Sequence, residues 1–101
     1  MSARKLEIRY RVSGKAYCDA AEVERTSFVV GMLDMLSFTC LYAAPEHKPR
    51  FDAMMQEARK YNGIELRQRF DQYMSAVDDR QVIGAASCFF TALNKWSGYD
   101  N

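Results

Sequence analysis

Few residues in this chain are of types that do chemistry. The cysteines are Cys18, Cys40 and Cys88. An odd count rules out complete internal pairing, and no two stand at metal-ligand spacing. Buried free thiols are the expectation, with a Cys40 to Cys88 bridge between two helices as the alternative; that bridge would imply an oxidising compartment. The single histidine, His47, lies in a turn between Pro45 and Pro49 with no second His and no nearby Cys, so it reads as a surface residue and not as a ligand or a base. Asp78 and Asp79 are the one adjacent carboxylate pair. They precede an apolar-periodic run, which suits a helix cap, and neighbouring side chains on one turn diverge too far to share a substrate. There is no glycine-rich phosphate loop, nucleophile elbow or HExxH pattern. The expectation is therefore no catalytic residue, no cofactor and no metal, and a protein that is not an enzyme.

Residues that could bind a partner are easier to find. Leu6, Ile8, Tyr10 and Val12 alternate with Glu7, Arg9 and Arg11, the period of a strand with one buried face. No second run of this kind occurs in the chain. The segment is expected to be an extended arm lying on the helices, to pair with its copy in a dimer, or to add a strand to a target. Five cations against Glu7 give the first fifteen residues a net charge of +4. Arg9, Tyr10 and Arg11 are the contact candidates there. One basic-aromatic segment without a stacking platform argues against a nucleic-acid partner. The fourth candidate is Asp34, the only charged residue from Thr26 to Ala44. A carboxylate buried in such a stretch needs a cation or several donors, so it is expected to meet Arg25, Arg67 or Arg80, or else to face a partner.

The elements that must position these residues are helices. Asp19 and Glu22 have the spacing of a capping box, which starts a helix running from 19 to 44. Phe28, Val29, Val30, Met32, Leu33, Met35, Leu36, Phe38, Leu41 and Tyr42 occupy most of its circumference, so it is expected to be a central helix covered on nearly every side, either wholly by this chain or with one face reserved for another. Asp34 in mid-stretch speaks against a membrane span, and Pro45 ends the helix. Phe51, Met54, Met55 and Ala58 give a second helix over 50 to 62, stopped at Asn62-Gly63. Leu66, Phe70, Tyr73, Met74 and Val77 give a third over 64 to 77, with Glu65 and Arg69 paired on its wet side. Val82, Ala86, Phe89, Phe90 and Leu93 give a fourth over 79 to 96. The methionines at helical spacing read as core filling before they read as an adaptable groove.

With 101 residues, 49% of them hydrophobic, the chain is expected to be one domain over 1 to 101: a mainly α, compact bundle of about four helices, with residues 1 to 15 as a basic extended arm. A net charge of +1 gives no global field for nucleic acid or a membrane surface. Met1 to Lys5 is basic but no apolar stretch follows, so the sequence as given reads as cytoplasmic, and as periplasmic if a leader has been removed.

Gly31-Met32-Leu33-Asp34-Met35-Leu36, preceded by Phe28 and Val29, resembles the G-x-x-D-x-L helix of the small helical immunity proteins that neutralise type VI secretion amidase effectors, the Rap and Tai group. Tyr73-Met74 through Asp79-Arg80 to Ala85-Ala86 and Ala92-Leu93 is similar to that group's closing helices. The resemblance implies a periplasmic, often dimeric, all-helical inhibitor that binds a toxin and blocks its site. The chain departs from the group in showing no secretion signal, in lacking the usual cysteine before the glycine helix, and in its arm from Lys5 to Val12. The functional expectation is a non-catalytic protein-binding module of the immunity or inhibitor kind, with a protein partner and a homodimer as its assemblies. The alternative is a cytosolic adaptor or regulator, phage- or plasmid-type, whose basic arm binds protein or nucleic acid.

Overall fold

The computed structural model describes residues 12–79 and 83–99. They form five helices: α1 (Gly14–Asp19), α2 (Glu22–Tyr42), α3 (Lys48–Ala58), α4 (Gly63–Met74) and α5 (Ala85–Ser97). The mainly α bundle expected from the sequence is present, with one helix more than expected and no strand among the described residues. Arg9, Tyr10 and Arg11 lie outside the described residues, as do Arg80 and Val82.

The extended arm expected over residues 1 to 15 is helical at its end, from Gly14. Ser13 caps α1, its Oγ accepting from Ala16 N at 3.0 Å. Just before it, Val12 and Ser13 lie antiparallel to Ile83 and Gly84, with Gly14 N donating to Ile83 O and Ala85 N donating to Val12 O, both at 2.8 Å. The starts of α1 and α5 are thereby stapled together.

Several boundaries move because caps compete. Asp19 closes α1 and pairs with Lys15 at 2.5 Å, so it does not open α2; Glu24 takes that job by accepting from Ala21 N at 3.1 Å. Asn62 begins α4 instead of ending α3: its Oδ1 accepts from Glu65 N at 2.8 Å, and Glu65 Oε1 accepts from Asn62 N at 2.9 Å. Glu65 is committed to that cap, and Arg69 turns to Glu57 at 2.9 Å. Asp78 and Asp79 sit in a turn upstream of α5, whose cap is Gly84. At the other end of α5, Gly98 adopts φ 70°, the left-handed conformation that a side chain would disfavour.

The core is built by α3, α4 and α5, with Tyr17 from α1 and Val29 and Leu36 from α2. Leu66, Phe70 and Met74 meet Ala85, Phe89, Ala92 and Leu93, all fully enclosed. Phe70 is the hub, its ring centroid 5.0 Å from Tyr17 and 5.2 Å from Phe89. Met54, Met55 and Met74 are core residues, as expected, whereas Met35 is not. Around the edge, Glu57 accepts from Lys60 and Arg69, both at 2.9 Å, while the Arg69 guanidinium lies 4.1 Å from the Trp96 ring centroid. That cluster ties α3, α4 and α5 together.

The central-helix expectation for α2 needs correction. Only Val29 and Leu36 are fully buried along its 21 residues, with Phe28, Met32, Leu33 and Cys40 packed partly against the core. Four other short helices do not hold enough chain to enclose it. Among the described residues they cover one side and leave the other exposed.

Candidate protein-docking face

The uncovered side of α2 is a continuous apolar surface. At 100° per residue, Val23, Ser27, Val30, Gly31, Asp34, Met35, Phe38, Leu41 and Tyr42 fall within one face, and all are exposed. Its six large apolar side chains, Val23, Val30, Met35, Phe38, Leu41 and Tyr42, are between 45% and 76% exposed. Phe38 and Tyr42, one turn apart, hold their rings 4.7 Å from centroid to centroid. The face continues onto α4. A Cβ added to Gly63 would stand 3.1 Å from Val30 Cγ2, and the next residue, Ile64, is 56% exposed. Monomers seldom leave so many large apolar groups together on one surface.

Asp34 stands in the middle of this face and is exposed, which corrects the expectation of a buried carboxylate. It makes no ion pair or hydrogen bond among the described residues. Of the arginines expected to meet it, Arg80 lies outside the described residues, and Arg25 and Arg67 are engaged elsewhere. Arg25 Nε lies 3.3 Å from the Asp71 carboxylate and its Nη1 donates to Ala20 O at 2.6 Å. Arg67 donates to Asp71 at 2.9 Å, to Glu22 at 2.8 Å and to Thr26 Oγ1 at 3.2 Å. These bonds clamp the first turns of α2 to α4, and so fix which side of α2 points outward.

Gly31, Asp34, Met35 and Phe38 line an open depression of about 310 Å³. They stand at i, i+3, i+4 and i+7, the four corners of a hole into which a facing helix inserts a side chain. Apart from its own helix backbone, a Cβ added at Gly31 would meet nothing within 4 Å, so the described residues leave the hole unfilled.

A second depression, of about 350 Å³, runs between α2 and α3 and is lined in part by Cys40, Lys48, Asp52 and Arg59. The Cys40 thiol donates to Phe51 O at 3.4 Å, and burial, followed by the Asp52 charge, pushes its pKa up. A thiol held protonated is a poor nucleophile. All three cysteines are free, so Cys40 and Cys88 are not bridged; Cys88 is raised by burial and by the neighbouring Cys18. His47 is exposed at the start of α3. Among the described residues there is no cluster of His, Cys, Asp and Glu able to hold a metal, and no helix long and apolar enough to cross a membrane.

No family model, curated protein or solved structure matches the chain. Of the four residues singled out from sequence, the structure places Asp34 on the α2 face and leaves Arg9, Tyr10 and Arg11 outside the described residues. The apolar members of the face are residues whose sequence pattern predicts core.

Proposed function

We propose that this chain is a non-catalytic protein-binding module that docks a partner on the outer face of α2, in the manner of an immunity or inhibitor protein that occludes a partner's surface. The observation that supports this reading is the row of exposed apolar side chains from Val23 to Tyr42 on a helix clamped at its start. Fully covering such a side chain is worth roughly 1.5–3 kcal/mol, which is the kind of gain needed to offset the cost of association. A rigid helix face also loses little freedom on binding.

Photo-crosslinking in the source cell tests the reading. With p-benzoylphenylalanine in place of Phe38, irradiation should yield a discrete protein adduct, and in place of the exposed Lys95 on α5 it should not. The adduct protein, re-expressed, should bind the purified chain at fixed stoichiometry. Equal labelling from both positions, or none from either, would remove the support for α2 as the docking face.

A further inference from the structure

The outer face of α2 has a sign as well as a shape. Its exposed ionisable residues are Glu24 and Asp34, with Glu22 beside it at the helix start, and none of the exposed residues of α2 is a cation. Glu22 is tied to Arg67 and Glu24 to the helix start, which leaves Asp34 as the carboxylate without a partner among the described residues. A partner that covers Val30, Met35, Phe38 and Leu41 also removes water from Asp34, because Asp34 lies between them. Burying a carboxylate unpaired is costly, and a cation donated by the partner cancels that cost.

These facts constrain the occupant. A second α2 laid on this face would bring no exposed cation of its own to Asp34. An uncharged apolar segment would leave Asp34 stranded. The hole over Gly31 accepts a knob from a helix, and Asp34 forms one corner of it. We infer that the α2 face receives an amphipathic helix of a different protein, with an apolar residue seated over Gly31 and an Arg or Lys one turn away that pairs with Asp34. This rests on the reading of α2 as the docking face and adds the partner's chemistry to it. Arg suits the role best, since its planar fork binds a carboxylate with two parallel hydrogen bonds.

The test uses the full chain with p-benzoylphenylalanine in place of Phe38, cross-linked in the source cell, with the adduct peptide sequenced and the adduct protein purified. The adduct peptide should carry apolar residues at i, i+3 or i+4 spacing and an Arg or Lys within one turn of them. Asp34→Lys should weaken binding of the purified partner by at least about tenfold, and Asp34→Asn by less. Exchanging the partner's cation for Glu should restore binding to Asp34→Lys. Asp34→Ser keeps the site small and uncharged, and full helicity in all three variants shows that the loss is not one of folding. If the adduct forms but its peptide belongs to this chain, the occupant is a second copy and the inference is wrong. It is equally wrong if Asp34→Lys binds as the parent does, although the docking face then stands. Absence of any adduct overturns the docking face and the inference with it.

Discussion

The Tyr17 hydroxyl donates to Asp71 at 2.7 Å, joining α1 to α4 across 54 residues of chain. Tyr17 is 2% exposed, and its ring stacks obliquely on Phe28 and Phe70. The same carboxylate receives Arg25 and Arg67, so one acid gathers α1, α2 and α4. Tyr17→Phe removes one hydrogen bond and keeps the ring, and should cost about 1 kcal/mol in urea unfolding. Asp71→Ala strips three donors at once and should cost more than Tyr17→Phe. Equal costs would show that the arginines find other partners.

Burial, and then the hydrogen bond to Asp71, hold the Tyr17 phenol protonated well above its ordinary range, and burial raises Tyr73 as well. Above pH about 10 the unfolded chain releases these protons and the folded chain keeps them. The stability that Tyr17 contributes is thus fully present below its unfolded pKa and is lost as pH rises beyond it, at about 1.4 kcal/mol per pH unit. Urea unfolding between pH 8 and 11 should show this decline, and Tyr17→Phe should show a shallower one. A parallel decline in the two proteins would mean that Tyr17 ionises in the folded chain as it does when unfolded.

How far the sequence could be read follows from what each signal reports. Periodicity reports helices, and Phe51, Met54, Met55 and Ala58, or Leu66, Phe70 and Met74, are found where their spacing puts them. Caps report ends only when one residue has one job. Asn62 serves equally well by composition as a helix stop or a helix start, and Glu65 three residues later decides for the start. The short helix α1 was missed because six residues hold too little periodicity to detect. Composition alone could not say which side of α2 would be covered, since apolar groups ring the helix. The clue was present in Ser27, Gly31 and Asp34, small or polar residues at three- and four-residue spacing on a single face. A buried Asp34 was the natural reading only while α2 was taken to be enclosed.

Glu57 should govern part of the acid limb. Burial alone would raise its carboxyl, but hydrogen bonds from Lys60 and Arg69 outweigh burial and hold it below the ordinary value of 4.5. Its contribution is present above that unfolded value and is lost as pH falls through the lower folded one. Because Arg69 also lies over Trp96, tryptophan fluorescence should follow the loss. Glu57→Gln should flatten the acid limb between pH 5 and 2, and an unchanged limb would assign acid sensitivity to other carboxylates.

Thiol titration tests the cysteine assignment. With Cys18, Cys40 and Cys88 all free, the denatured, unreduced protein should react with three equivalents of Ellman's reagent. The native protein should react more slowly at Cys88, which is 4% exposed. A count of one would reveal a bridge and contradict the assignment of three free thiols.

Gly31 and Asp34 separate the folding role of α2 from its surface role. Glycine inside a helix costs about 1 kcal/mol relative to alanine, and a Cβ at Gly31 meets nothing within 4 Å. Gly31→Ala should therefore stabilise the chain and raise Tm by roughly 4–8 °C for a domain of this size. Asp34→Ala breaks no bond among the described residues, so it should leave Tm within a few degrees of the parent or raise it slightly, because alanine is the better helix former. A large loss from Asp34→Ala would place the carboxylate in a buried pair after all, and would return α2 to the role of an enclosed helix. If instead both variants fold as well as the parent or better, neither Gly31 nor Asp34 is there for stability, and the hole and its charge are features of the surface.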